Sequence, residues 1–199
     1  AMELQDVIRR RRMVRNFEDR PLPESAVERI LDNAVRAPSA GFSQGWGFLV
    51  LEDAADRQRF WATGFEGADR AGFRWAGIFH APLLIVPCSN KAAYLDRYAE
   101  DDKGWTDRDE ARWPVPYWDI DTGFATMLML LTAVDEGLGA LFFGILPHRI
   151  DGFRAAFGIP AEFHPIGALA IGYPAPDEPS PSLKRGRRPV TEVAHRGRW

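Results

Sequence analysis

One long apolar segment near the middle of the chain restricts the folds that this sequence can adopt. Residues 119–136 form the strongest predicted helix, and Gly137 marks its end. Within residues 127–134 every side chain except Thr132 is apolar, so this part of the helix is apolar on nearly all sides. Such a helix must be buried in the protein core or at a subunit interface. It is too short an apolar run to cross a bilayer, which takes about 20 residues.

Shorter patterns on both sides of this helix predict a mixture of helices and buried strands. Helices are predicted over residues 3–12, 23–36, 53–65, 91–100 and 148–157. The second has an apolar stripe that includes Ile30 and Val35. Apolar runs predict strands over residues 48–51, 82–87, 140–145 and 167–172, and the run over 82–87 is typical of a strand covered on both faces. The class is therefore α/β or α+β, in a single domain without internal repeats.

Composition and charge favour a globular protein that does not bind nucleic acid. Of 199 residues, 46% are hydrophobic and 27% charged, which is typical of one domain with a substantial core. The net charge of −3 argues against general nucleic-acid binding, which needs a basic surface. The single cysteine, Cys88, fits a reducing compartment, and the early charged residues do not match a signal peptide. We expect a cytoplasmic protein with no membrane partner.

A run of arginines follows the first predicted helix. Continuing the apolar face of residues 3–12 by one turn brings Arg11 to the buried side of the helix. A buried arginine needs an anion, and the next acidic residue in sequence is Glu18. Our hypothesis is that this anion is a ligand phosphate. The alternative is that the arginines favour a helix C-terminus through its dipole and keep their charges in water.

Small and turn-forming residues dominate a loop over residues 37–48. Such a loop lets the backbone approach a flat ligand closely, and Ser39, Ser43 and Gln44 offer hydrogen-bonding groups beside it. The alternative is an ordinary turn that leads into a strand.

Aromatic side chains are concentrated in residues 94–118, which we call the aromatic segment. Beyond its predicted helix the segment is irregular, and a connection of this length in a domain is usually functional or partly helical. We interpret the residues beyond that helix as a candidate lid over a site, and the whole segment as the place of substrate selection. The alternative role for the many aromatic residues of the chain is a plain aromatic core.

Residues that could carry proton transfer or metal catalysis are not grouped in this sequence. The four histidines, His80, His148, His164 and His195, are scattered without metal-ligand spacing. There is no nucleophile elbow, dinucleotide fingerprint or P-loop, and Cys88 lies in an apolar strand that suits a thiolate poorly. These observations favour a protein that holds a phosphorylated, planar cofactor which carries the reaction itself.

Four motifs in order resemble those of the FMN-dependent nitroreductase family, the NAD(P)H-dependent flavin oxidoreductases. They are Arg-Arg-x-Val-Arg-x-Phe from Arg11, Ala-Pro-Ser-Ala-Gly-x-x-Gln-x-Trp from Ala37, Glu-Gly-Leu-Gly-Ala from Glu136, and Arg-x-Arg-Arg-Pro from Arg185. The similarity covers essentially the whole chain.

The resemblance implies an α+β fold with a central mixed sheet flanked by helices, in an intertwined homodimer with FMN at the subunit interface. Residues 1–199 would form one domain, the helix over residues 119–136 would lie at the dimer core, and residues 174–199 would be an arm that reaches across the partner. The implied cofactor-binding residues are Arg11, Arg12, Met13 through its backbone, Arg15, Pro38, Ser39, Ala40, Gln44, Gly144, Arg185 and Arg187. Arg74 is a candidate for the polar edge of the flavin.

The implied reaction is a ping-pong hydride transfer from NADH or NADPH through the flavin to a nitroaromatic, a quinone or a related small molecule. No side chain is expected to be catalytic. Phe42 and Gly45 depart from the Asn and Pro that many members have, so Phe42, with Trp113 and Tyr117, is a candidate substrate contact. The alternatives are a flavin-consuming, dehydrogenating or deazaflavin-linked enzyme, and a non-catalytic protein that sequesters FMN.

Overall fold

A sheet of five short strands forms the centre of the fold. The computed structural model describes residues 1–65 and 74–199. The strands are β1 (Trp46–Leu51), β2 (Leu83–Ser89), β3 (Gly139–Phe143), β4 (His164–Pro165) and β5 (Ala168–Gly172). Their order is β1-β2-β5-β3, and β4 pairs with the end of β2.

The predicted mixed sheet is wrong in one respect, because every named strand pair in the described residues is antiparallel. The parallel component is the single bridge between Met13 and Ala140. Continuous apolar runs indicate that a strand is covered on both faces, but they carry no information about its direction. The α+β class is confirmed.

The helices lie close to their predicted positions. They are α1 (Leu4–Arg10), α2 (Glu24–Ala34), α3 (Ala54–Gly64), α4 (Lys91–Tyr98), α5 (Tyr117–Asp135), α6 (Ile150–Phe157) and a short α7 (Val190–Val193). Asp53 stands at the N-cap of α3 as its residue type suggests, but its side chain makes no capping bond. Asn90 does cap α4, where its Oδ1 accepts a hydrogen bond of 3.1 Å from the backbone N–H of Ala93.

Two hydrophobic cores cover the two faces of the sheet. Alternate residues of β2 point to opposite faces, so Leu83 and Ile85 pack toward α2 and α5, whereas Leu84 and Val86 pack toward α3 and α6. The second core is largely aromatic, with Phe60 at its centre in edge-to-face contacts. Much of the aromatic content is therefore core.

Helix α5 is buried on one side only. Met129 is fully buried between the sheet and α2. Ile120, Phe124 and Met127 are 36%, 46% and 46% exposed, and their spacing of four and three residues places them in one stripe on the outer face. The predicted burial of α5 in the core or at a subunit interface is confirmed for the face that packs in the core, and the other face is apolar and uncovered by this chain. Within residues 1–65 and 74–199, no helix combines the length and apolar character needed to cross a membrane.

The C-terminal part of the chain begins as a strap and continues as an exposed tail. In the strap, residues 173–177, the N–H of Ala175 donates to the carbonyl of Asn16 at 3.0 Å, and the side-chain amide of Asn16 donates to the carbonyl of Pro176 at 2.6 Å. Beyond it, the side chains of residues 181–199 are exposed. Whether this tail reaches across a partner stays a prediction.

Burial in α2 should decide how much its residues contribute to stability. Ile30 is fully buried, whereas Val35, which the sequence pattern placed on the same stripe, follows the last helical residue and is 52% exposed. Ile30→Ala should lower the free energy of unfolding by about 2–5 kcal/mol through lost burial and the cavity left behind. Val35→Ala should change it by no more than about 0.5 kcal/mol. Urea unfolding followed by tryptophan fluorescence measures both, and equal losses would contradict the assigned core.

Candidate functional site

The arginine segment, residues 9–15, passes from the end of α1 to the edge of the sheet. Helix α1 ends at Arg10, and the N–H of Arg11 bonds to the carbonyl of Val7 as the last helical contact. The chain then meets β3, where the N–H of Val14 donates to the carbonyl of Ala140 at 3.0 Å. The Met13 sulfur accepts a bond of 3.5 Å from the N–H of Phe142, so the Met13 side chain anchors the segment.

The fold partly buries two arginines of this segment, Arg11 and Arg15, and Arg11 has an enclosed nitrogen. Its Nη1 atom is enclosed and has no hydrogen-bond partner among the described residues. Arg9, Arg10 and Arg12 are exposed, in agreement with the alternative that these arginines keep their charges in water. A buried guanidinium donor without a partner is unfavourable, because its desolvation is not compensated. The site therefore offers an unsatisfied positive donor to an anion.

Asp177 lies beside this segment and was missed by the sequence analysis. The N–H of Arg15 donates to its Oδ2 at 2.7 Å, and Nη1 of Arg12 lies 3.6 Å from the same oxygen. The Asp177 side chain is 3% exposed, and its Oδ1 has no partner among the described residues. A separation of 162 residues hid this contact, which only the strap brings about.

Trp75 contacts one arginine of the segment, Arg15, and one outside it, Arg74. The guanidinium carbons of Arg15 and Arg74 lie 5.2 Å and 5.1 Å from the centre of its ring, within cation–π distance. Arg74, the candidate for the polar edge of a flavin, also forms an ion pair of 3.3 Å with Glu178.

The small-residue loop, residues 38–45, leads into β1 at the other edge of the sheet. Ser39 Oγ accepts a bond of 3.0 Å from the N–H of Gln44, and the Ser43 hydroxyl donates to the carbonyl of Ala40 at 2.6 Å. The N–H of Ala40 donates at 2.9 Å to Oδ2 of Asp121, a buried residue of α5. Pro38, Phe42 and Gln44 are exposed, and the Phe42 side chain is 73% exposed. The loop is thus internally bonded and presents several of its groups outward.

The aromatic segment, residues 94–118, is packed and held by contacts at several points, and its role as a lid stays a prediction. Trp113 contacts Tyr98 at 4.6 Å and Tyr117 at 6.0 Å between ring centres. Ion pairs hold other residues of the segment together. In one of them, Nη2 of Arg112 lies 2.7 Å from Oδ2 of Asp107, and the hydrogen bond from Arg112 lowers the pKa of that carboxyl below its usual range. Tyr117, the first residue of α5, is 36% exposed. Trp113 and Tyr117 therefore belong to one packed cluster.

The two groups of candidate cofactor residues lie at opposite ends of α5. The small-residue loop is bonded to Asp121 near the start of this helix. The other group lies near its end, because the N–H of Val14 donates to the carbonyl of Ala140, five residues after the last helical residue, Asp135. These two helical residues are about 21 Å apart along the axis. Gly144 is exposed directly after β3, and no contact among the described residues joins Arg185 or Arg187, on the exposed tail, to Arg11. One chain therefore does not assemble all the predicted residues.

Within the described residues, we find neither a reactive cysteine nor a cluster that could bind a metal ion. Cys88 is 3% exposed in β2, and burial raises the pKa of its thiol to about 12, so it is protonated and inert as a nucleophile near neutral pH. In the described part of the chain, no three His, Cys, Asp or Glu side chains are placed to hold a metal ion.

Comparison with protein families gives a match over most of the chain. The sequence model of the Nitroreductase family matches residues 8–173. A protein of Methanothermobacter thermautotrophicus named as an NADH dehydrogenase/NAD(P)H nitroreductase is 28% identical over 177 residues, which are 87% of this chain and 78% of that protein. A 5,6-dimethylbenzimidazole synthase of Rhodospirillum rubrum is 30% identical over 200 residues, covering 90% of this chain and 87% of that protein.

Solved structures share the same fold. A nitroreductase from Exiguobacterium sibiricum in complex with FMN superposes with a TM-score of 0.72 at 21% identity, covering 98% of this chain and 97% of that one. A nitroreductase family protein from Clostridium difficile superposes with a TM-score of 0.72 at 24% identity over the full length of both chains. At these identities the likeness concerns the fold alone.

Proposed function

The chain belongs to the nitroreductase family of oxidoreductases, and on that premise we propose that it binds FMN and accepts hydride from NADH or NADPH. The chemistry that bound FMN supplies is hydride transfer from the nicotinamide to the flavin, and then on to a nitroaromatic or quinone acceptor in ping-pong order. The chain's own side chains bind and orient, and none is assigned a catalytic role.

The observation that carries this proposal is the buried Nη1 of Arg11 without a hydrogen-bond partner among the described residues. A phosphate oxygen would satisfy that donor, and a charge-assisted bond of this kind contributes roughly 1.5–3 kcal/mol. Arg12 and Arg15 stand beside it with the backbone of Met13, while Asp177 holds the N–H of Arg15 and keeps the segment in place. The residues present therefore fit the phosphate end of FMN.

The flat end of the cofactor fits a different part of the molecule. The loop residues Pro38, Ser39, Ala40 and Gln44 would lie along the flavin ring, and the exposed backbone of Gly144 would approach its reactive edge. Phe42, with Trp113 and Tyr117 of the aromatic segment, would meet the second substrate.

A second copy of the chain would unite these two parts. Two α5 helices that pair antiparallel through their exposed apolar stripes would bring the loop of one protomer beside the arginine segment of the other. The stripe of Ile120, Phe124 and Met127 is the kind of contiguous apolar surface that marks such an interface. Arg185 and Arg187, on the exposed tail, would complete the phosphate site.

A second candidate function is the synthesis of 5,6-dimethylbenzimidazole with consumption of the flavin. It is supported by the Rhodospirillum rubrum relative of that name, which matches 90% of this chain. Both candidates need a bound flavin and differ in what happens after reduction.

The visible spectrum of the purified protein tests the proposal first. We expect a flavin spectrum, or its appearance after addition of FMN, that bleaches when NADH or NADPH is added without oxygen. Reoxidation by a quinone with no loss of flavin would support the reductase. Loss of flavin on aeration, with 5,6-dimethylbenzimidazole found by mass spectrometry, would support the synthase instead.

Two outcomes of that measurement would contradict the proposal. A bound flavin that neither nucleotide reduces would favour a deazaflavin-linked enzyme or a protein that sequesters FMN. A colourless protein that takes up no added FMN would refute flavin binding altogether.

Substitution of Arg11 tests whether this residue binds the phosphate of FMN. Arg11→Ala should raise the dissociation constant for FMN by roughly 10- to 150-fold, because one charge-assisted bond is lost. Arg9→Ala is the matched control, since it removes the same charge from an exposed position of the same run. Fluorescence titration of FMN-free protein measures both. Equal effects would mean that only the general positive field matters, and no effect in either would remove Arg11 from the site.

A substitution in the exposed apolar stripe of α5, Ile120, Phe124 and Met127, tests the proposed dimer. Phe124→Glu should convert the dimer into a monomer of 22.4 kDa, because a charge in a buried interface is costly. It should also abolish FMN binding, because the proposed site needs both protomers. Ala55→Glu adds the same charge on the exposed face of α3 and should leave the dimer intact. Light scattering after size-exclusion chromatography measures the mass. A monomeric wild-type protein that binds FMN would refute the shared site.

A further inference from the structure

The small-residue loop has a backbone that its own sequence does not favour. Gly41, Phe42 and Gln44 have φ angles of +60°, +54° and +50°. The left-handed region is accessible to glycine, but a phenylalanine or a glutamine adopts it only when its surroundings impose it. The bonds within the loop and the elements that pack against it must together hold this conformation.

One face of α4 fits against the two glycines of the loop. Tyr94 and Tyr98 are four residues apart and lie on the same side of the helix. A Cβ atom built on Gly45 would lie 2.6 Å from the Tyr94 ring, and one built on Gly41 would lie 2.7 Å from the Tyr98 ring. The two rings occupy the space that side chains would need, so the loop backbone packs directly on them.

Polar contacts fasten the loop to the same helix and to α5. The Arg97 Nε donates to the carbonyl of Gly41 at 2.8 Å, and the N–H of Ala40 donates to Asp121 Oδ2 at 2.9 Å. The same carboxylate oxygen accepts a bond of 2.7 Å from the hydroxyl of Tyr94. Burial and the bond to Asp121 raise the pKa of Tyr94 above its ordinary value, so its hydroxyl remains a donor.

Arg97 also joins the loop to the rest of the aromatic segment. Its Nη1 and Nη2 donate to the two oxygens of Asp102 at 2.7 Å and 2.8 Å, a bidentate pair that lowers the pKa of that carboxyl. One guanidinium therefore holds the Gly41 carbonyl with one nitrogen and Asp102 with the other two.

We propose that Tyr94, Arg97, Tyr98 and Asp121 are positioning residues that form a template for the small-residue loop and hold it ready for the flavin. The functional half of this inference rests on the proposed FMN binding. The conformational half concerns the loop alone and does not depend on any ligand.

Asp121→Asn tests the template, and Asp119→Asn is its matched control. Both replace a carboxylate by an amide on the same helix, two residues apart, but Asp119 bonds to Ser89 and does not touch the loop. The amide oxygen of asparagine can accept both bonds, but without the negative charge it is a weaker acceptor, so the contacts to Ala40 and to Tyr94 are weakened. Ile30→Ala serves as a second control, because it destabilises the core of α2 without touching the loop.

Hydrogen–deuterium exchange of FMN-free protein gives the readout that needs no cofactor. Asp121→Asn should accelerate exchange of the backbone amides of residues 38–45 by about tenfold or more, and neither control should do so. Unchanged exchange in these amides would overturn the template, whatever the protein binds.

Fluorescence titration with FMN gives the second readout. Asp121→Asn should raise the dissociation constant by about tenfold or more, whereas Asp119→Asn and Ile30→Ala should stay within about twofold of the wild type. Faster loop exchange with unchanged FMN affinity would overturn the positioning role. A wild-type protein that does not bind FMN would refute the proposed function and, with it, the functional half of the inference, while the exchange data would still decide the conformational half.

Arg97→Lys separates the shape of the side chain from its charge. Lysine keeps the positive charge but cannot hold the Gly41 carbonyl and both oxygens of Asp102 together. We expect faster exchange in residues 38–45 and weaker FMN binding than in wild type, with a larger loss in Arg97→Ala. If lysine restored both readouts fully, charge alone would explain the role of Arg97.

Discussion

Helix α5 has more apolar surface than the chain itself covers, and the arrangement of the candidate site depends on this. Its inner face packs on the sheet and on α2, with Met129 fully buried, while Phe124 and Met127 remain half exposed. The same helix separates the small-residue loop from the arginine segment. An apolar surface of this kind favours association, because burial of apolar area is the main driving force for both folding and assembly. The proposed function therefore requires this uncovered face to be buried against a second chain.

Much of the fold was predictable, because local periodicity determines where helices and buried strands occur. The apolar run of residues 127–134 indicated α5, and the four continuous apolar runs indicated four of the five strands. The direction of the strands was not predictable, since a strand covered on both faces looks the same in either direction. The two-residue strand β4 gave no periodic signal at all.

The candidate site was predictable only where one segment supplied the signal. The partial burial of Arg11 followed from the apolar face of α1. Asp177 and Asp121 could not be found in this way, because each contacts its segment across 162 and 81 residues of chain. Gly45 departs from the family pattern, and the fold gives a reason: the Tyr94 ring fills the space that a side chain would need. Met13 contributes a sulfur contact to β3 where only its backbone was expected to matter.

The strap has a consequence for the exposed tail that follows it. Because Asp177 is held against Arg15, the tail leaves the body of the protein from a fixed point beside the arginine segment. Arg185 is eight positions after Asp177, so its Cα lies within about 28 Å of the Cα of Asp177 in any conformation of the chain between them. A tethered group meets nearby surfaces at a high effective concentration, set by the length of its tether. The length of chain between Asp177 and Arg185 therefore limits how far from the strap Arg185 could meet an anionic ligand.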